Sequence, residues 1–259
     1  MNIATTASTP HGMSDTEWRI RRDLAALYRL VAHHRWTDFI YTHISARIPG
    51  PEHHFLINRY GVNFQDMRAS DLVRIDLDGR VVEDSGKTSA DVNAAGFTIH
   101  SAIHMARPDL MCVIHTHSSA GIAVSALKEG LLPISQHAMK FYNRLAYHDY
   151  EGVALDLGER DRLTRDLGSH KAMILRNHGL LAGGTSIPEA FHQLYILERA
   201  CAAQVAALSC GRELILPAPE VCQHASDQFK SFEADEAHYA MLWSAALRLI
   251  ENAPIDYRS

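Results

Sequence analysis

The 259-residue sequence predicts one compact α/β domain whose sheet is not purely parallel and doubly wound. Three observations predict it. The apolar runs of strand length are short, and hairpin-joined runs mix with runs beside helical patterns. No internal repeat and no clear linker divides the chain. No GxGxxG or P-loop pattern appears, which argues against a dinucleotide or triphosphate site of those kinds. The domain is expected over residues 14–259. Residues 1–13, rich in Thr, Ser and Pro, are expected to form a flexible tail, and Met13 offers an alternative start.

The elements follow in order. Ser14-Asp15-Thr16-Glu17 is a capping box that opens a helix running to about His34, with Trp18, Leu24, Leu27, Tyr28 and Val31 at helical spacing. Extended runs follow at 40–47 and 55–58. Leu72–Leu77 and Arg80–Val82 flank Asp78-Gly79, a hairpin signal. A second helix covers roughly Asp91–Ala106 and ends before Arg107-Pro108. A strand over Met111–His115 precedes a small-residue helix at about 119–127. Residues 131–150 give no clear pattern. A polar helix at 160–167 stops at Gly168, and a strand spans 172–176. Ser186-Ile187-Pro188-Glu189 caps the longest helix, to about Cys210. Residues 211–228 read as an irregular connector, and a last helix spans about 234–250.

The most informative residues end two of those strands. His115-Thr116-His117 closes the run Leu110–Ile114, and Asn177-His178-Gly179 follows Ala172–Leu175. On a strand, residues i and i+2 share a face, so two imidazoles can grip one divalent ion. A third from a neighbouring strand end completes a three-histidine site with one position free for water or substrate, as in catalytic rather than structural sites. A single His-x-His among 17 His is not specific by itself; its place at the end of a buried strand adds weight.

Composition removes other classes. Apolar residues make up 47%, ample for a core, and the net charge of -5 with scattered Lys and Arg leaves no nucleic-acid footprint. No apolar stretch approaches the ~20 residues that span a bilayer. Cys112, Cys201, Cys210 and Cys222 form no CxxC pair, and the opening residues do not resemble a signal peptide. This usage fits a reducing compartment, so the expected location is cytoplasmic, without membrane or nucleic-acid partners.

Several motifs in order then resemble a known family. They are Asn93-Ala94-Ala95-Gly96-Phe97-Thr98-Ile99-His100, Ala106-Arg107-Pro108-Asp109, His115-Thr116-His117, Tyr147-His148-Asp149-Tyr150-Glu151-Gly152 and Arg176-Asn177-His178-Gly179. Together, over residues 20–210, they are similar to the class II aldolase/adducin family, and most resemble its adducin-like branch. The resemblance implies a three-layer α/β/α fold with a mostly antiparallel central sheet. It implies a cyclic homotetramer with sites at subunit interfaces. It also implies one divalent ion on His115, His117 and His178, zinc first, with manganese or iron as alternatives.

The departures from the family are as informative. Sugar-phosphate aldolases of the family carry Ser-Ser-Glu at the start of the second helix. By register these fall on Ala94, Ala95 and Gly96, so the catalytic carboxylate and part of the phosphate cradle are missing. The family's Gly-Asn falls on Thr42-His43, and a tyrosine acid from the adjoining subunit falls near His137. An ordinary phosphosugar aldolase is therefore not expected.

A proton carrier is still needed. His100, four residues past Gly96 on one helical face, is the first candidate, followed by His137 and His43; His104 continues the face of His100. Substrate contacts are expected from Arg59, Tyr60, Asn93 and Gly96, with Tyr257 and Arg258 closing the site. Three classes of function follow. The first is a metal-dependent lyase, an aldolase or decarboxylase acting on a small carbonyl or carboxylate compound. The second is a non-haem iron oxygenase acting on 2-oxo acids, as the resemblance to aryl-pyruvate-shortening relatives implies. The third is a non-catalytic, adducin-like interaction module.

Overall fold

The computed structural model describes residues 13–82, 87–88, 91–153, 158–233 and 235–259. The expected tail thus lies, but for Met13, outside the described residues. Seven strands form one sheet: β1 (His43–Arg47), β2 (Phe55–Ile57), β3 (Val73–Ile75), β4 (Cys112–Thr116), β5 (Ala146–His148), β6 (Ala172–Leu175) and β7 (Gly179–Gly184). Their spatial order is β3-β2-β1-β4-β7-β6-β5. The expected sheet was mostly antiparallel; the observed one is mixed. β5 runs parallel to β6, while the pairs from β3 through to β6 run antiparallel. The parallel pair arises because α5 (Glu159–Leu167) crosses over between β5 and β6.

Side-chain alternation sorts the sheet into two faces. Ile44, Ala46, Cys112, Ile114, Ile174, Leu180 and Ala182 join one core with residues of α1 (Asp15–His33), α6 (Ile187–Ser209) and α8 (Glu236–Leu247). Val113, Met173, Leu175 and Leu181 join a second core with Ile99, Ala102 and Ile103 of α2 (Ala94–Ala106) and Leu163 and Leu167 of α5. The result is helix, sheet, helix. Parity also fixes the site: His43, Ser45, Val113 and His115 pair across β1 and β4, so all four side chains stand on the α2 face.

Local chemistry explains most boundaries. Ser14 Oγ accepts from Glu17 N at 3.1 Å, and Ser186 Oγ accepts from Glu189 N at 3.3 Å. Asp76 Oδ1 accepts from the backbone N–H groups of Asp78 and Arg80, closing the 78–79 turn, although its second strand shrinks to the bridge Ile75↔Val81. Gly168 ends α5 at φ 52.

Several expectations need correcting. The stretch 211–228 is not all connector, because α7 (Pro219–Phe232) begins with Pro219 in its first turn and buries Cys222 and Ser226, four residues apart. β7 carries three glycines and no polar alternation, so it does not read as a strand. Residues 131–150 hold α3's neighbour, the single-turn α4 (Gln136–Met139), and then β5; α3 itself spans Ser119–Ser125. The C-terminus does not close the expected site. Tyr257 is buried, and Tyr257 O and Ser259 O accept from Ala69 N and Ser70 N. Among the described residues no helix is long and apolar enough to cross a membrane.

Candidate metal centre

β4 and the β6–β7 hairpin build the centre. His115 is the penultimate residue of β4, and His117 lies one residue past its end. Asn177, at φ 55, makes the tight turn between β6 and β7 and sets His178 just before β7. Because β7, not β6, is hydrogen-bonded to β4, with Thr116 opposite Leu180, His178 falls beside His117. A Cβ at Gly179 would lie 2.3 Å from Thr116 O, so only glycine lets the hairpin approach β4 this closely.

The three rings converge through Nε2. His115 Nε2 stands 2.9 Å from His117 Nε2 and 3.2 Å from His178 Nε2. A tetrahedral ion holding nitrogens at about 2.0–2.1 Å sets them about 3.3 Å apart. The other nitrogens of two rings are tied elsewhere: His115 Nδ1 to Leu180 O at 2.9 Å and His117 Nδ1 to Asp38 Oδ2 at 2.9 Å. Such outer partners fix the tautomer and leave Nε2 as the free donor atom. Burial holds His115 well below the usual imidazole range, with His178 and His117 adding to the effect. Burial, then His117, pushes His178 down to about 4. Both are therefore neutral at pH 7, the form that ligates. Among the described residues this is the one group of three or more His, Cys, Asp or Glu whose donor atoms come together.

Sequence reasoning missed two supporting carboxylates. Asp38 lies 79 positions from its partner His117. Glu198, deep in α6, accepts from Thr116 Oγ1 at 2.7 Å and Ser118 Oγ at 2.5 Å, on either side of His117. No local pattern marks either residue. A Glu in the middle of an otherwise buried helical face is the only available signal for Glu198.

The triad opens into a cavity of about 520 Å³ lined also by Asp38, Tyr41, His43, Tyr60, Asn93 and Gly96. Tyr60, Asn93 and Gly96, three of the expected substrate contacts, line this cavity. Arg59 does not line this cavity: its Nε bonds Asp91 Oδ1 at 2.8 Å on the surface. His137 lies on α4 and lines no part of the cavity formed by one chain.

His100 is also displaced from its expected role. It is fully buried behind the cavity, with Nδ1 2.6 Å from Ser45 Oγ. Ser45 Oγ also meets His104 Nε2 at 2.8 Å, so both α2 histidines serve the helix–sheet interface. The residue facing the cavity is His43. Its two ring nitrogens are buried without a hydrogen-bond partner, and burial, then His117, pushes it down to about 3. A Cβ at Gly96 would lie 2.4 Å from its ring, so His43 fills the room that any side chain at position 96 would need.

With this geometry in place, comparison with known proteins gives the class. Residues 22–205 match the family described as Class II Aldolase and Adducin N-terminal domain. A putative aldolase class 2 protein of Caulobacter vibrioides is 57% identical over 84% of this chain and 84% of its own. Alpha-adducin of Rattus norvegicus is 46% identical over 73% of this chain, which spans 26% of that protein. An aldolase II superfamily protein from Pseudomonas syringae is 51% identical, with TM-score 0.90 over 98% of this chain and 100% of that one. An L-fuculose 1-phosphate aldolase from Glaciozyma antarctica PI12 is 27% identical, with TM-score 0.78 over 96% of each chain. The chain belongs to the class II aldolase and adducin family. Enzymes of this superfamily are in general metal-dependent lyases, commonly using zinc.

Proposed function

We propose that this protein is a divalent-metal-dependent lyase that breaks a carbon–carbon bond beside a carbonyl, by aldol cleavage or decarboxylation. Its substrate is a small carbonyl or carboxylate compound. The observation that carries the reading is the convergence of three Nε2 atoms, with the Nδ1 atoms of His115 and His117 tied to outer partners, on the floor of a cavity. His115, His117 and His178 would hold the ion, zinc first and manganese or iron as alternatives. A bound divalent ion supplies Lewis-acid polarisation of a carbonyl or carboxylate oxygen.

The chain's own residues do the rest. Asp38 and the Leu180 carbonyl hold two imidazoles in the ligating tautomer. Tyr60 and Asn93 line the wall and orient the substrate. Of the three histidines expected to carry a proton, His43 is the one that lines the cavity, and it takes the place of His100 as the group that exchanges a proton with the substrate. Gly96 supplies no carboxylate, which separates this site from that of a phosphosugar aldolase. The chain assembles as a homotetramer, as relatives often do, and His137 then serves a neighbour's cavity.

Identity with alpha-adducin favours a second reading, a binding module without turnover. Elemental analysis of anaerobically purified protein separates the readings. The expected result is about one zinc or manganese per chain, lost in His117→Ala, with cleavage or decarboxylation found in a screen of keto and hydroxy acids. Iron with oxygen uptake on aryl pyruvates would replace the lyase by an oxygenase. No metal, and none taken up on reconstitution, would leave the binding module.

A further inference from the structure

A second cleft, of about 550 Å³, shares no lining residue with the metal cavity. Its walls come from the end of α4, the approach to β6, α6 and α7. Three cations sit at its base. Lys140 is 1% exposed, with Nζ 3.3 Å from Glu233 Oε1 and 3.3 Å from His192 Nδ1. Arg144 pairs through Nη2 with the other oxygen of Glu233. Lys171 Nζ lies 2.6 Å from Glu189 Oε1.

The charges do not balance. Three cations share two carboxylates, Glu233 and Glu189; Lys140 is buried, where a surplus charge is costly, while Arg144 and Lys171 keep part of their side chains open to the cleft. At the mouth, Asp227 and Lys230 offset one another and leave the deficit inside unchanged. Donors are in surplus too. Arg144 Nη1 is buried without any acceptor, although the guanidinium fork matches planar oxyanions. Glu233 is already occupied, because Gln193 Nε2 donates to its Oε1 at 3.0 Å. Burial pushes Lys140 down to about 8, against the pull of Glu233 and Glu189.

We propose that this cleft is a second ligand site, binding the carboxylate or phosphate group of a small metabolite through Arg144 and Lys140. The cleft exceeds the volume of a bare oxyanion, so the group arrives on a larger molecule. On its wall Asn143 Nδ2 donates to Gln223 Oε1 at 2.9 Å and Gln223 Nε2 donates to Asp227 Oδ1 at 3.1 Å, a chain of amides that borders the cations. The proposal does not depend on the metal centre, because the two cavities have no residue in common.

Titration calorimetry of the full chain tests it, with inorganic phosphate in one arm and malonate in the other. Chloride keeps the ionic strength constant, and a chelator is present throughout. The expected result is saturable one-site binding in one arm, and that arm names the chemistry. Arg144→Gln weakens it at least tenfold, and His117→Ala leaves it unchanged. Lys230→Gln, at the exposed mouth and away from buried groups, weakens it about threefold and keeps the test valid if Arg144→Gln fails to fold. Absence of saturable binding in both arms overturns the proposal. So does binding lost with His117→Ala, or affinity unaltered in the folded mouth variant.

Discussion

Gly96 and His43 form a reciprocal pair, and its two halves are unequally visible in the sequence. The resemblance to sugar-phosphate aldolases, in register from Arg107-Pro108-Asp109 and His115-Thr116-His117, implies a carboxylate where this sequence has Gly96. The imidazole that moves into the vacated room comes from a strand 53 positions earlier, and only the fold brings it there. The pair makes a prediction whose sign reverses. Gly→Ala inside a helix ordinarily gains up to about 1 kcal/mol. Here the new Cβ would stand 2.4 Å from the His43 ring, and overpacking of that kind costs about 1–3 kcal/mol. Gly96→Ala is therefore expected to destabilise the protein, whereas the same change on a His43→Ala background stabilises it. Urea unfolding of the four proteins of this cycle measures the coupling. Equal effects of Gly96→Ala on both backgrounds would show that the ring does not occupy that space. The histidine triad itself is legible because its members cluster just past the ends of two apolar runs. His100 misled because helical spacing gives a face but not which layer that face meets; Ser45, projecting from β1, claims it.

Elements position the centre through a buried carboxylate. α6 sends Glu198 beneath the end of β4, where it binds the hydroxyls on both sides of His117. Removing it leaves two buried hydroxyls without their acceptor, at about 1–3 kcal/mol for each unsatisfied group. Glu198→Ala should thus lower stability by about 2–4 kcal/mol and loosen the loop that presents His117, lowering zinc affinity about tenfold. Glu198→Gln, which keeps an acceptor oxygen, should lose much less of both. Urea unfolding and competition with a zinc-binding dye report the two effects separately. A loss of stability with unchanged zinc affinity would confine Glu198 to a packing role. Elements with strong caps were readable at their starts: α1 at Ser14 and α6 at Ser186 begin where hydroxyl chemistry places them. β7 was not, because Gly179, Gly183 and Gly184 read as loop in one dimension. They are strand residues here because β4, Leu110 and α6 approach too closely for side chains. α7 was lost for the opposite reason, since Pro217 and Pro219 read as breakers although Pro219 serves as a helix starter.

Across the whole molecule, buried neutral histidines set the response to acid. Burial pushes His43, His104 and His192 down to about 3 and His178 to about 4, and holds His100 well below its ordinary range. In the unfolded chain each returns to about 6.5. Below that pH the unfolded state binds protons that the folded state refuses, so stability falls as pH falls. The loss starts near 6.5 and continues towards the folded values of about 3–4. Carboxylates act lower down: Asp166 and Glu233, held below their ordinary range, add to the loss only as their unfolded forms protonate. Glu198, raised by burial, works the other way and does so above its ordinary carboxylate range, where the folded state takes up the proton first. From pH 6.5 to 5 the several buried histidines outweigh the raised carboxyls of Glu198 and Asp23, so the net slope is theirs. Each buried imidazole contributes up to about 1.4 kcal/mol per pH unit there. His104 offers the clean test, because it lies in the α2–sheet interface away from the triad, against Ser45 and Phe55. With chelator present to remove metal linkage, the wild-type urea midpoint should drop between pH 6.5 and 5. His104→Gln should start lower at pH 7 and drop less steeply, by the share of one proton. A midpoint that is flat or rises over this interval would mean that the folded histidines take up protons after all, and with them that the α2 interface admits charge.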